Sequence, residues 1–215
     1  MGAIKFPHAS GNSMSIAAPA TNPASDLELK LPATIGTAGQ VLKNSSTAGT
    51  LEFGGGGKIL QVVSTTKTDD NSGNVAASTW SDLGLNNYDV DITPTATSSK
   101  ILISGFVNVS KESAGYIFIQ LTRGGSALDG ATGAASSNRP RATAAGYINN
   151  VAHLETIPFQ YLDSPSSTSQ QTYSVLFRHD AGSTKNITIN RSYENTDNTY
   201  QARGISVITA MEVAA

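Results

Sequence analysis

The chain has 215 residues, a formal net charge of −2 and only 14% charged residues. So sparse and balanced a charge excludes a dedicated nucleic-acid surface, which needs clustered Lys and Arg to displace counterions from phosphates. The absence of cysteine excludes a disulfide framework, Cys-based zinc sites and thiol nucleophiles.

The residues that are abundant point to sheet. Gly, Ser, Thr, Asn and Ala dominate, whereas surface helices are usually paved with Glu, Lys and Arg. Thr, Val, Ile and Tyr suit the pleated, half-buried surface of a strand. No apolar stretch approaches the roughly 18 residues that a membrane helix needs. The segment MGAIKFPHASGNSMSIAAPA lacks a basic stretch followed by an apolar one, so no leader is expected there.

In chain order, residues 1–57 come first and end in the joint Gly54-Gly55-Gly56-Gly57. Consecutive glycines populate φ > 0 as readily as φ < 0, so the joint is a candidate boundary. Pro7, Pro19, Pro23 and Pro32 leave no room for a long helix. Apolar residues come in bursts: Leu27, Leu29 and Leu31, then Val41-Leu42, then Leu51 and Phe53. LELKL and TLEF alternate with period 2 and predict short strands. About fifty such residues cannot bury enough apolar surface alone. They are either disordered or buried against copies of themselves, and the spaced bursts favour copies.

Residues 58–215 predict eight to ten strands and no helix. KILQVVST, a run that reads as buried, opens the series at Lys58, and Tyr88, Val90 and Ile92 alternate before Pro94. Ile101, Ile103, Val107 and Val109 share one face of the next strand, with Leu102, Ser104, Phe106 and Asn108 on the other. Tyr116–Thr122 is apolar on both faces, as a central strand would be. Residues 126–146 form a long loop carrying Arg139-Pro140-Arg141, of a length usually tied to function or to ordering by a partner. Strands follow at His153–Leu162 and around Tyr173, Val175 and Phe177. Asp180-Ala181-Gly182-Ser183 has the chemistry of a hairpin turn into Ile187 and Ile189, and the chain closes on Ile205, Val207, Thr209, Met211 and Val213, a long period-2 strand. An antiparallel β-sandwich of jelly-roll type fits this count, with a closed barrel as the alternative.

Catalytic constellations are missing. His8, His153 and His179 are scattered, with no HExxH and no GxSxG. His153 is expected to be a satisfied sheet histidine. GGGGK at 54–58 has Glu52 and Ile59 where a phosphate loop needs Gly and Ser or Thr. Asp69-Asp70 lies in an oxygen-rich turn, a conceivable cation site that lacks spaced ligands. Asp89 and Asp91 share a strand face, a pattern that serves glycoside hydrolysis but more commonly marks a wet face. Sequons occur at Asn44, Asn108, Asn186 and Asn190, and in so Asn- and Ser/Thr-rich a chain they are expected by chance. Trp80, Tyr88, Tyr147, Tyr193 and Tyr200 are the aromatics that could stack on sugars. Tyr193 and Tyr200 flank a polar loop, Glu194–Thr199.

The segment LKLPATIGTAGQVLKNSSTAGTLEFGGGG, residues 29–57, resembles the shaft repeat of bacteriophage fibre proteins, especially those of marine and cyanobacterial phages. The signature is Leu31-Pro32, Gly36, Gly39-Gln40-Val41-Leu42-Lys43 and Gly49-Thr50-Leu51-Glu52-Phe53. Gly11-Asn12-Ser13 and Ala18-Pro19-Ala20 fit the preceding part of the repeat. Residues 58–215 are similar, more loosely, to the globular domain that follows such shafts, through Ser99–Ile103, Phe159–Pro165, Thr172–Val175 and Ile205–Ala214.

The resemblance implies a homotrimer with intertwined stalk chains, located on the virion and attaching to the host surface. The expected organisation is a stalk or virion-attachment segment over 1–57 and a globular β-sandwich over 58–215. Leu29, Leu31, Val41, Leu42, Leu51 and Phe53 are the expected oligomer interface. Expected partners are further copies of the chain, other virion proteins and a host-surface glycan or outer-membrane receptor. No nucleic acid, membrane insertion, cofactor or metal is expected, and the chain is not expected to be an enzyme. The alternatives are a capsid-decoration or tail-adaptor protein without a receptor, and a depolymerase or glycosidase working through Asp89 or Asp91.

Overall fold

The computed structural model describes residues 3–7, 13–17, 20–21, 23, 28–37, 39–55, 57–85 and 87–215; for 3–7 and 13–17 it describes the backbone. His8, Gly11, Asn12, Ala18, Pro19, Leu27 and Gly56 lie outside the described residues. The chain forms two compact units, Met1–Gly56 and Gly57–Ala215.

Among its described residues, the first unit contains two antiparallel hairpins. One joins β1 (Ala3–Pro7) to β2 (Ser13–Ala17). The other joins β3 (Gln40–Asn44) to β4 (Leu51–Gly55). Its turn is held by Ser45, whose Oγ accepts the Thr47 N–H at 3.0 Å. Gly49 turns the chain at φ +75, where a Cβ would stand 2.7 Å from the Glu28 carbonyl. The strand expected over LELKL shrinks to one parallel bridge, Lys30 with Thr50, among the described residues. Pro32 explains this, because it brings no N–H to extend the ladder. Phe53 lies against Gly36, where a Cβ would meet its ring at 2.5 Å.

The second unit runs β5 (Ile59–Lys67), β6 (Asn71–Val75), β7 (Val90–Ile92), β8 (Lys100–Lys111), β9 (Gly115–Arg123) and β10 (Ser126–Ala127). It continues through β11 (Ala144–Ile148), β12 (Glu155–Asp163), β13 (Gln171–His179), β14 (Lys185–Ile189) and β15 (Ser206–Val213). Every pairing is antiparallel. One sheet has the order β5–β15–β8–β12, and β14 pairs with β8 beyond the end of β15 and carries β6. The other has the order β7–β13–β9, with β10 and β11 sharing the far edge of β9. The sheet orders β5–β15–β8–β12 and β7–β13–β9–β11 are those of a jelly roll. No ladder among the described residues joins the sheets, so the unit is a sandwich rather than the alternative barrel.

The core follows from the period-2 pattern. Ile101, Ile103, Val107 and Val109 of β8 are fully buried, facing Ile117, Ile119 and Leu121 of β9 and Val175 and Phe177 of β13. Polar clamps cross between the sheets as well. Asp163, at the end of β12, accepts hydrogen bonds from Arg123 of β9 and from the Tyr173 hydroxyl of β13 at 2.8 Å. Buried Tyr88 reaches the backbone of the opposite sheet, its hydroxyl 2.9 Å from the Phe106 carbonyl and 3.1 Å from that of Val207.

Two expectations are corrected by topology. Asp180–Ser183 is not a hairpin turn, because β13 and β14 belong to different sheets; the segment crosses between them. The long loop of residues 126–146 is ordered by its own chain. Arg141 donates to Asp129 Oδ1 at 3.0 Å and to the Gly133 carbonyl at 2.9 Å, and the segment contains β10, a short 3₁₀ turn at Asp129–Ala131 and the start of β11.

Gly105 sits where β8, β12 and β15 meet, and a Cβ there would lie 2.1 Å from the Val207 carbonyl and 2.8 Å from the Phe159 ring. Gly105→Ala is therefore expected to lower stability by about 1–3 kcal/mol through overpacking, measured by urea unfolding. Glu212 is buried. Burial pushes its carboxyl up, but hydrogen bonds from Thr95, Gln61 and Ser99 outweigh that and hold it at about 2, against an ordinary 4.5. Its contribution to stability is complete above pH 4.5 and is lost as pH falls toward 2. Thermal unfolding across that window should show a shallower pH slope in Glu212→Gln than in the parent chain; equal slopes would assign the acid sensitivity elsewhere.

Candidate functional site

The sandwich presents an open polar groove, of about 590 Å³, lined by Asn74, Glu112, Asn186, Arg191, Tyr193, Glu194 and Asn195. Its floor is sheet. Asn74 of β6 and Asn186 of β14 are cross-strand partners, and the Asn186 side-chain amide donates to Asn74 Oδ1 at 3.0 Å. Glu112 follows β8 directly; it accepts from Lys185 at 2.9 Å and from the Asn186 backbone N–H at 3.1 Å. The Lys185 ammonium and that backbone bond hold its carboxyl below the ordinary range. An ionised, anchored carboxylate of this kind accepts hydrogen bonds from a ligand rather than donating a proton.

The wall of the groove is the loop between β14 and β15, and Asn190 starts it. Asn190 adopts a left-handed φ of 61, a conformation that Asn tolerates better than most residues. Its buried amide donates to the Lys67 and Asp69 carbonyls, both at 2.9 Å, and its side-chain oxygen accepts the Ser206 hydroxyl at 2.6 Å. Asp70 then ties the loop down, with Arg191 Nε at 2.6 Å and Arg203 Nη1 at 2.9 Å. Arg203 also donates to Asn195 at 2.9 Å, and Gln201 donates to Glu194 at 2.8 Å. Tyr193 and the exposed Glu194 and Asn195 are thereby offered to solvent from a braced segment.

The sequence-predicted residues distribute as follows. Tyr193 lines the groove, while Tyr200 lines a separate recess of about 290 Å³ with Asn149, Asn150, Ala152 and His153. Tyr88 is buried and cannot meet a ligand. Tyr147 is exposed and packs edge-on against Tyr116 at 4.9 Å. His153 accepts the Asn149 N–H at 3.1 Å and lies 3.3 Å from Glu155; His179 is buried against the Val75 carbonyl. Asp69 and Asp70 are engaged by basic side chains, Asp69 by Lys67 at 2.9 Å. Asp91 accepts the Thr172 hydroxyl, and Asp89 is exposed. Of the sequons, Asn190 is buried and Asn108 is bonded to Thr156.

The six expected interface residues all lie in the first unit. Leu29, Leu31, Val41 and Leu42 are exposed, and Leu51 and Phe53 are half-buried. Pairing of Leu42 with Phe53 and of Asn44 with Leu51 puts Leu42, Leu51 and Phe53 on one face of the hairpin and Val41 on the other. Leu31, Ile35, Leu42 and Phe53 line an apolar recess of about 280 Å³. Sequence reasoning missed Glu112, Asn186 and Asn74 as groove residues; their grouping depends on the β6–β14–β8 pairing, which polar NSGNV did not announce.

Comparison with known proteins returned no matching family model and no matching curated protein. Among solved structures, the chain is similar to that of infectious bursal disease virus, Gt strain, at 11% identity and TM-score 0.38 over 95% of this chain and 48% of that one. It is also similar to the VP2 subviral particle of the same virus, at 10% identity and TM-score 0.35 over 82% and 43% of the two chains. The chain thus spans about half the length of these viral proteins or less. At these TM-scores the likeness carries no functional argument, and the fibre resemblance rests on the sequence.

Asn190→Ala is expected to cost about 2–4 kcal/mol, from lost buried hydrogen bonds and a strained left-handed alanine. Asn190→Gly, free of the strain, should cost about 1 kcal/mol less. Hydrogen exchange over residues 191–204 should rise in both; unchanged protection there would show that the loop does not depend on Asn190.

Proposed function

We propose that this chain is a virion appendage protein of a bacteriophage, a homotrimer whose N-terminal segment is a stalk and whose sandwich domain grips host-surface saccharide through the Tyr193 groove. The observation that carries the reading is the open apolar surface of the first unit. Ile35 is 95% exposed, Leu31 72% and Leu29 62%. A single chain leaves them in water, whereas three chains around a shared axis could bury them as an obligate interface does. The shaft-like spacing of Leu31-Pro32, Gly36, Gly39 and Gly49 supports the same reading. Gly36 admits the Phe53 ring, and Gly39 and Gly49 take positive φ.

For the groove, the supporting feature is its chemistry. Sugars present many hydroxyls and little charge. A wall of amides, one ring and anchored carboxylates offers fixed donors and acceptors at low ordering cost. Glu112 is committed to Lys185 and Glu194 to Gln201. This arrangement suits binding without chemistry, and the chain is proposed to be non-enzymatic.

Native mass measurement of the full chain should give three copies, and a clean monomer at high concentration would sink the stalk. A saccharide array probed with the full chain should identify a ligand class whose affinity falls about tenfold in Tyr193→Ala. Absence of any saccharide binding in a folded trimer would leave a decoration role without a receptor.

A further inference from the structure

The outer face of the β5–β15–β8–β12 sheet is open along all four strands. Register aligns Val62, Met211, Leu102 and Leu162 in a single row across the four strands. Val62 is 57% exposed and Leu162 44%. Four residues along, Val207 and Phe106 continue a second apolar row, both half-buried. Between the rows lies one of hydroxyls and an amide, in which Ser64 and Thr209 share a hydrogen bond of 2.9 Å. Lys100, at the margin, is the one charged side chain that these strands turn outward.

We infer that this face packs against a second copy of the same chain. Its composition is that of an interface core, apolar and neutral-polar with charge depleted. A different partner would be steered and selected by charge, and here there is almost none to read. For a self-interface the same lack is an advantage, because identical faces meet without like-charge repulsion. The size also fits. Four strands about 4.8 Å apart and about seven residues long give a flat footprint of roughly 450 Å². A side-chain-covered surface exposes more area than its footprint, which brings it toward the roughly 800 Å² per partner of an ordinary interface.

The face begins close to the glycine joint, because β5 starts at Ile59. On the proposed stalk reading, three domains tethered there would face one another at millimolar effective concentration. The inference rests on that reading for the tether alone.

The test separates the two. The full chain is given Val41→Asp with Leu42→Asp to disable the stalk, and separately Val62→Glu with Leu162→Glu on the sheet face. Sedimentation equilibrium up to about 1 mM, the range the tether argument needs, reads association, and thermal unfolding checks each fold. The stalk-disabled chain is expected still to self-associate, with an affinity that the added face substitutions weaken by about tenfold or more. Val62→Thr with Leu162→Thr, which keeps strand propensity, should weaken it less. A stalk-disabled chain that stays monomeric throughout overturns the inference and leaves the face to another occupant. So does association that ignores the glutamates. If association of the parent chain is untouched by the stalk substitutions and abolished by those on the face, the stalk reading fails and this one stands.

Discussion

The sandwich depends on a one-sided burial constraint on β8. This strand bonds to β12 along one edge and to β15 and then β14 along the other. Its residues Ile101, Ile103, Val107 and Val109 must all point inward, because a slip by one residue would turn the whole set to water. Once that register is set, each partner's register is set too. Gly105 is the point where three backbones and the Phe159 ring converge, and only the absence of a side chain lets them do so.

The groove is a consequence of that frame. Strands β14 and β6 extend the sheet past the end of β15 and supply Asn186 and Asn74. The loop that leaves β14 is then pinned by Asn190 and clasped by Asp70 between two arginines. Ion pairs at the surface, such as Asp70 with Arg203, add little individually. Here their effect is geometric, since together with the Asn190 and Gln201 bonds they hold a polar segment in one conformation. A rigid scaffold carrying a braced loop is how binding surfaces are commonly built.

The two faces of the β8 sheet illustrate why hydrophobicity alone misleads. Ile103 and Leu102 are neighbours of similar size, yet one is buried in the core and the other lies on an outer face. Period-2 alternation separated them correctly from sequence. What it could not show is that Leu102 stands in line with Val62, Met211 and Leu162, residues far apart in the chain, because cross-strand register is a long-range property. The polar strand β6 escaped detection for a related reason: its NSGNV carries one core residue, Val75, and its place is set by pairing rather than by propensity. The turn at Asp180–Ser183 had hairpin chemistry but crosses between sheets, since local residues determine that a chain bends and not which sheet it joins.

Sequence by itself determined the class of fold. Sparse charge, β-favouring residues and period-2 runs left an all-β chain. Alternation marked the buried faces of β7, β8, β13 and β14. The set it singled out in β15 (Val207, Met211 and Val213) lies outward, however, while Ser206, Ile208, Ala210 and Glu212 are buried, and the apolar run that opens β5 leaves Ile59, Leu60 and Val62 exposed. The sequence also marked the apolar bursts of residues 29–53 as surface in search of burial. Only the tertiary structure decided the strand order, the separation of Tyr193 from Tyr200 into different recesses, and the alignment of neutral residues across the outer sheet face. The physical reason is the same in each case. Alternation is written into neighbouring residues, whereas a groove or a docking face is assembled from positions that meet only after the chain has paired with itself.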